Sequence, residues 1–351
     1  LSIMPDEYER TIQAPDIIEN IHPPLISDPG QDADLQAYSD KLALLESEIK
    51  RVVIGQEDAI QQLIIAFAAG GHVLLEGVPG IAKTLLVKTL SDCTGCSYTR
   101  LQFTPDLLPA DITGTKIYRF ENSSFETVKG PVFSNIVLAD EINRAPPKVQ
   151  SALLEAMQEK QVTIQGDSHP LSLPFFVLAT QNPIESEGTY PLPEAQTDRF
   201  MLKILMDYPS IDEEIRIIQQ FTGQNCPSAQ QTLDKQDILE IQSYTRSIHC
   251  STLVERYAAE MVDATRHPEK YGIDLKEYIA FGASPRASIS LIVCAKAKTL
   301  REKRTYVTPD DIREMAYPVL RHRILLNYEA EADGIHTEDI IGEILSRVKI
   351  P

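Results

Sequence analysis

The sequence predicts an α/β core, a mostly parallel sheet with helices on both faces, followed by an all-helical domain. Three observations carry this. Between residues 53 and 205 short apolar runs alternate with helical segments. A strand, a glycine-containing loop and a helix follow one another around residues 73–90. After Pro209 strand signals stop and capped helical periodicity takes over. With 351 residues, 43% apolar and 24% charged, the chain is long enough for two domains of ordinary globular composition.

Residues 1–33 carry Pro15, Pro23, Pro24 and Pro29 among acidic and polar residues, which favours an extended arm. Leu35, Tyr38, Leu42, Leu45, Ile49 and Val52 recur at helical spacing and predict one amphipathic helix over 34–52. Core strands are expected at 72–76, 99–103, 135–139, 175–180 and 200–205. Two interruptions read as hairpins. One pairs 116–120 with 125–128 around Glu121-Asn122-Ser123-Ser124; the other pairs 161–165 with 171–173 around Gly166-Asp167-Ser168. Helices are predicted at 211–221, 238–247, 253–265, 285–301 and 309–320. The glutamine-rich stretch 222–234 reads as a linker, so the expected units are an arm (1–33), a core with its leading helix (34–221) and a helical lid (222–351).

A formal charge of −18 disfavours nucleic acid and anionic membrane as partners. Five scattered cysteines suggest a reducing compartment. Cys93 and Cys96 form a C-x-x-C without a second pair or a nearby histidine, and the seven histidines show no metal-site spacing. The N-terminus lacks the basic and apolar regions of a secretory signal. The longest strongly apolar stretch, 63–70, is far shorter than the roughly 20 residues that span a bilayer. The expectation is a soluble cytoplasmic protein without membrane insertion.

Gly77-Val78-Pro79-Gly80-Ile81-Ala82-Lys83-Thr84 follows the apolar strand Val73-Leu74-Leu75 and opens a helical pattern at Leu85. That context suits a phosphate loop for ATP. Glycines let backbone N–H groups curl around phosphates, Lys83 neutralises charge, and Thr84 offers its hydroxyl to Mg²⁺. Ala82 stands where the general pattern has glycine, which is tolerable if its φ is negative. Ile136-Val137-Leu138-Ala139 ends in Asp140-Glu141, two carboxylates at the carboxyl end of a buried strand. Asp140 is the candidate to organise Mg²⁺, and Glu141 the candidate to polarise the attacking water. Another buried strand, Phe176-Val177-Leu178-Ala179-Thr180, leads to Gln181-Asn182-Pro183. Asn182 is either a γ-phosphate or water contact, or part of an ordinary Asn-Pro turn. Ser284 and Pro285 read as N-cap and first residue of a helix, placing Arg286 where the dipole disfavours a cation unless an anion lies near.

These residues resemble the AAA+ ATPases. The wording of the phosphate loop, Asp140-Glu141-Ile142-Asn143-Arg144-Ala145, Ala179-Thr180-Gln181-Asn182-Pro183 and Leu192-Pro193-Glu194-Ala195-Gln196-Thr197-Asp198-Arg199-Phe200 is similar to the MoxR family, from about residue 53 to 325. In MoxR-like loops Ala82 is usual. The resemblance implies an AAA+ core with hairpin insertions and a helical lid, and Mg-ATP hydrolysis in a hexameric ring. It implies that Gly55 and Gln56 border the adenine, that Asn182 is sensor 1 and Arg286 sensor 2. Arg199 would be an arginine finger reaching a neighbouring subunit, or else a surface partner of Asp198. The implied role is chaperone-like remodelling of a client protein, often one with a von Willebrand factor A domain. A nucleotide-gated scaffold with little hydrolysis and a DNA-acting machine are the alternatives; the three residues Glu141, Asn182 and Arg199 argue against the first, the net charge against the second.

Overall fold

The computed structural model describes residues 29–121, 123–182, 189–223 and 227–351. The arm up to residue 28, Asn122 of the first hairpin turn, Pro183 beyond Asn182, and Cys226 lie outside the described residues. The first helix, α1 (Pro29–Val52), starts at Pro29 rather than Asp34. Proline fits a first helical turn. The four residues that follow it carry no large apolar side chain, so the extra turn leaves no periodic trace. Leu35, Leu42, Leu45, Ile49 and Val52 are buried along the predicted stripe.

After α2 (Glu57–Ala69) come β1 (Val73–Gly77), α3 (Lys83–Thr94) and β2 (Tyr98–Gln102). The short α4 (Pro109–Thr113) leads to the hairpin β3 (Gly114–Arg119) and β4 (Ser124–Lys129). Next are β5 (Ile136–Asp140), α5 (Pro147–Glu159), the hairpin β6 (Gln161–Ile164) and β7 (Asp167–Pro170), and β8 (Phe176–Gln181). The short α6 (Glu194–Thr197) and β9 (Leu202–Met206) complete the core. The remainder is α7 (Ile211–Phe221), α8 (Lys235–Ser247), α9 (Thr252–Arg266), β10 (Ile279–Phe281), α10 (Pro285–Arg301), α11 (Pro309–Leu320), β11 (Leu325–Leu326), α12 (Tyr328–Asp333) and α13 (Thr337–Arg347).

The five core strands form one sheet in the order β2-β5-β8-β1-β9, and every neighbouring pair is parallel. Side chains alternate between its faces. Val73, Leu75, Ile136, Leu138, Phe176 and Leu178 join α1, α2, α3 and the C-terminal helices in one apolar cluster. Leu74, Val137, Ala139, Val177 and Ala179 face the opposite cluster, with α5 and β6. The period of two along each strand, with both sets apolar, is what a sheet covered on both faces requires.

Both hairpins stand outside this sheet. The second has a different register from the predicted one: its turn is Gln165-Gly166 and its return strand is β7, not 171–173. Both turn residues have positive φ, 47° and 96°, the geometry of a two-residue hairpin turn. The C-terminal region also carries a strand pair the sequence reading lacks, β10 with β11, and two further helices, α12 and α13. Strands of three and two residues are too short to show alternation.

Candidate functional site

Gly77 ends β1 and the loop runs to Lys83, the first residue of α3. A Cβ on Gly77 would lie 2.6 Å from Ile81 Cδ1 and 2.7 Å from the Met206 carbonyl oxygen, so only glycine fits there. Gly80 has φ 85° and nothing within 4 Å of where a Cβ would stand. Its open side leaves the backbone free to approach a phosphate. Lys83 Nζ donates to the Gly77 carbonyl oxygen at 2.7 Å, folding the lysine over the loop it would share with an anion. Ala82 corrects the expectation of negative φ: it caps α3 with φ 64° and ψ 23°. The loop therefore imposes a left-handed residue where the side chain is a methyl, a local cost of about 1 kcal/mol. Val78 and Leu85 pack against the core while Pro79 is exposed and Thr84 half-buried.

Gly55 and Gln56 both adopt positive φ, 72° and 60°, immediately before α2. Gln56 Nε2 donates to the Asp207 carbonyl oxygen at 2.5 Å, and a Cβ on Gly55 would come 3.1 Å from the Glu213 carboxylate. These contacts put the pair against the chain leaving β9, whose last residue Met206 is in register with Gly77.

Asp140 and Glu141 leave the carboxyl end of β5, and Asn182 follows β8. Because β8 lies between β1 and β5, Asn182 stands between the phosphate loop and the carboxylates. At about 4.8 Å per strand, the two outer sites are about 10 Å apart. That gap suits a metal-bound phosphate chain. Asp140 and Asn182 are buried, 9% and 6% exposed. Thr84 and Asp140 supply the oxygen donors that Mg²⁺ prefers, so these residues fit Mg-ATP.

Three residues that sequence reasoning did not single out hold the carboxylates. Thr180 Oγ1 donates to Asp140 Oδ1 at 2.6 Å and accepts from the Glu141 backbone N–H at 2.8 Å. Glu141 turns there with φ 56°. Arg100 on β2 donates to Asp140 Oδ2 through Nη2 at 2.6 Å and Nε at 3.0 Å. Gln102 Nε2 donates to Glu141 Oε2 at 2.9 Å, and Arg144 Nε lies 2.9 Å from the same oxygen. The pairing of β2 with β5 brings Gln102 opposite Asp140. Nothing local in the sequence marks that pairing.

Arg199 and Arg286 lie elsewhere. They line a pocket of about 230 Å³ with Gly71, His72 and Met201, residues at the amino-terminal ends of β1 and β9. The phosphate loop is at the other end of β1, about 15 Å away. Within this chain the anion beside Arg286 is Asp198: Arg286 Nη1 is 3.5 Å from Asp198 Oδ2, which also accepts from Ser284 Oγ at 2.8 Å. Ser284 is the expected N-cap of α10, accepting from the Arg286 N–H. Arg199 does not pair with its neighbour Asp198 in any ion pair among the described residues. Its Nε is buried without a hydrogen-bond partner there.

His72 is buried beside this pocket. Its Nδ1 accepts from the Val177 N–H at 3.0 Å, leaving Nε2–H to donate to the Met157 carbonyl oxygen at 3.3 Å. Burial pushes its pKa down to about 4. The ring is therefore a neutral structural clamp. Cys93 and Cys96 are free and buried, and burial pushes the Cys93 thiol up to about 12, against a redox role. Among the described residues no cluster of metal-ligating side chains of three or more occurs. No described helix is long and apolar enough to cross a membrane.

Comparison with known proteins fits this geometry. Residues 72–202 match the ATPase family associated with various cellular activities (AAA), and residues 274–344 match the AAA lid domain. A Mycobacterium tuberculosis protein named chaperone MoxR1 is 48% identical over 324 residues, covering 92% of this chain and 86% of its own length. Protein MoxR of Methylorubrum extorquens is 32% identical over 343 residues, covering 92% of this chain and 98% of its own. A crystal structure of a protein from Cytophaga hutchinsonii superposes with a TM-score of 0.86 at 50% identity, covering 92% of this chain and 98% of that one. With a parallel core, a helical lid, and relatives matching along nearly its whole length, the chain belongs to the MoxR family of AAA+ ATPases.

Proposed function

We propose that this ATPase hydrolyses Mg-ATP at sites shared between adjacent subunits of a ring, most simply a hexamer, and uses the cycle to remodel or activate a client protein. The observation that carries the reading is the separation within one chain. The phosphate loop, Asp140, Glu141 and Asn182 gather at the carboxyl ends of the strands, whereas Arg199 and Arg286 gather at the amino ends. A chain that has both halves of a phosphoryl-transfer site on opposite sides completes the site only by meeting a second copy head to tail. Repeated around a closed axis, that contact makes a ring.

ATP would lie with its phosphates in the loop of residues 77–84, Lys83 turning from the Gly77 carbonyl to the β- and γ-phosphates, and its base near Gly55 and Gln56. Thr84 and Asp140 would hold Mg²⁺, which when bound neutralises charge on the β- and γ-phosphate oxygens. Glu141, released from Gln102 and Arg144, would accept a hydrogen bond from the attacking water and align it with the γ-phosphorus. Asn182 would fix that water or a γ-oxygen. The neighbour's Arg199 would stabilise the charge that develops there, with its Arg286 beside it. Hydrolysis breaks the bond between the γ-phosphorus and the bridging oxygen, leaving ADP and phosphate.

The client reading is supported by the first hairpin, where the exposed rings of Phe120 and Phe125 each have their centroid 5.2 Å from that of Tyr118. By the family resemblance the client would bear a von Willebrand factor A domain. The free cysteines suit a cytoplasmic setting. Glu141→Gln tests the chemistry: turnover should fall at least about 100-fold while ATP affinity stays within a few-fold. An unchanged rate would remove Glu141 from its assigned role.

A further inference from the structure

Resting on that reading, we propose that Arg323 is a positioning residue: it locks the lid to the segment carrying Arg199, so that Arg199 and Arg286 are offered to the neighbouring subunit as one rigid pair.

Arg323 follows α11, and its side chain is only 2% exposed. Burying a guanidinium is costly unless every donor is matched. Here Nε donates to Asp198 Oδ1 at 2.8 Å, Nη2 to the Phe200 carbonyl oxygen at 2.7 Å and to Ser290 Oγ at 3.2 Å, and Nη1 to the Met201 carbonyl oxygen at 3.1 Å. The acceptors come from both sides of the molecule. Asp198, Phe200 and Met201 bracket Arg199 in the segment that enters β9, whereas Ser290 is on α10, whose first turn holds Arg286. The adjacent His322 adds a bond from Nε2–H to the Phe200 carbonyl oxygen at 3.0 Å. Asp198 completes the link through its other oxygen, which receives Ser284 Oγ and faces Arg286.

The consequence is mechanical as well as electrostatic. Arg199 comes from the core and Arg286 from the lid, two units that nucleotide-driven motion would otherwise separate. With Asp198 shared between Arg323, Ser284 and Arg286, a lid displacement must carry the Arg199 backbone with it. One subunit's lid position is thereby read at its neighbour's nucleotide.

Subunit mixing tests the latch apart from the subunit's own ATP site. Donor subunits carry Glu141→Gln, so they supply arginines without hydrolysing ATP. Acceptor subunits carry Arg199→Ala and retain Glu141. Mixing should restore hydrolysis in the acceptor sites; failure here would overturn the shared-site reading and the latch with it. Donors that also carry Asp198→Asn or Arg323→Lys should restore at least about tenfold less activity, with ATP affinity and incorporation into the mixed ring unchanged. Restoration equal to that of the plain Glu141→Gln donor would overturn the latch alone. Asp198→Asn is nearly isosteric, and its thermal midpoint verifies folding should Arg323→Lys prove unstable.

Discussion

At the scale of single residues, the candidate phosphate loop and the candidate carboxylate pair were legible because each is written contiguously: a strand, its terminal turn, and the charged residues in that turn. What surrounds the carboxylates was not. Arg100, Gln102 and Thr180 reach Asp140 or Glu141 only because β2, β5 and β8 are adjacent in the sheet, and single-strand patterns carry no strand order. Thr180→Val is predicted to leave the shape of the strand intact, strip a partner from Asp140 and from the Glu141 N–H, and lower turnover about tenfold or more with ATP affinity little changed. Steady-state kinetics beside direct nucleotide binding would separate the two effects. Ala82 makes the opposite prediction. With φ 64° it occupies a conformation that glycine adopts without cost, so Ala82→Gly should raise the unfolding free energy of the nucleotide-free protein by about 1 kcal/mol, measurable by denaturant titration.

At the scale of elements, two buried ionisable groups make the joints between elements sensitive to pH. His72 ties the start of β1 to β8 and α5. Its pKa is about 4 in the fold against an ordinary histidine value of 6.5, so the unfolded chain binds more protons between those values. Stability therefore rises with pH across that window, by about 3 kcal/mol from this residue. His72→Gln, whose amide can replace both bonds, should flatten the rise in part; His322, also buried and depressed, contributes in the same direction. The second joint links α10 and α11. Burial pushes the Asp311 carboxyl up, but Arg304, the Thr308 N–H and Lys298 outweigh it and hold it well below the usual carboxylate range. Its contribution is complete above the unfolded pKa near 4 and is lost as pH falls through the folded value. Asp311→Asn should cost about 3 kcal/mol at neutral pH because Arg304 and Lys298 would both lose the buried carboxylate they share. Element type was legible in the helices at 211–221, 238–247, 253–265, 285–301 and 309–320, but α13, eleven residues with Ile340, Ile341 and Ile344 buried, went unread. The second hairpin shows why register was not: its turn rests on Gln165 with φ 47°, a conformation glutamine does not advertise.

At the scale of the whole molecule, the lid is bound to the core by a continuous apolar cluster rather than hung from a linker. Ile60, Leu63 and Phe67 of α2 share that cluster with Leu291 and Ala295 of α10 and with Val319 of α11. Leu291→Ala should therefore lower the stability of core and lid together, by about 2 to 5 kcal/mol, in a single calorimetric transition. Two separate transitions would mean that the units fold independently. The same continuity bears on the proposed latch, since a lid packed in this way would move together with its neighbouring elements, and Arg323 would pass that motion to the segment carrying Arg199. Sequence motifs singled out both arginines as candidates, but their position at the end of the sheet remote from their own candidate phosphate loop emerges only from the folded chain.

The most direct test of a site completed between subunits is ATP hydrolysis per subunit measured across protein concentration, for the native chain and for Arg199→Ala. If neighbouring subunits share the site, native activity per subunit climbs with concentration to a plateau, and the substitution abolishes it while ATP still binds. A rate independent of concentration and indifferent to Arg199 would contradict a shared site.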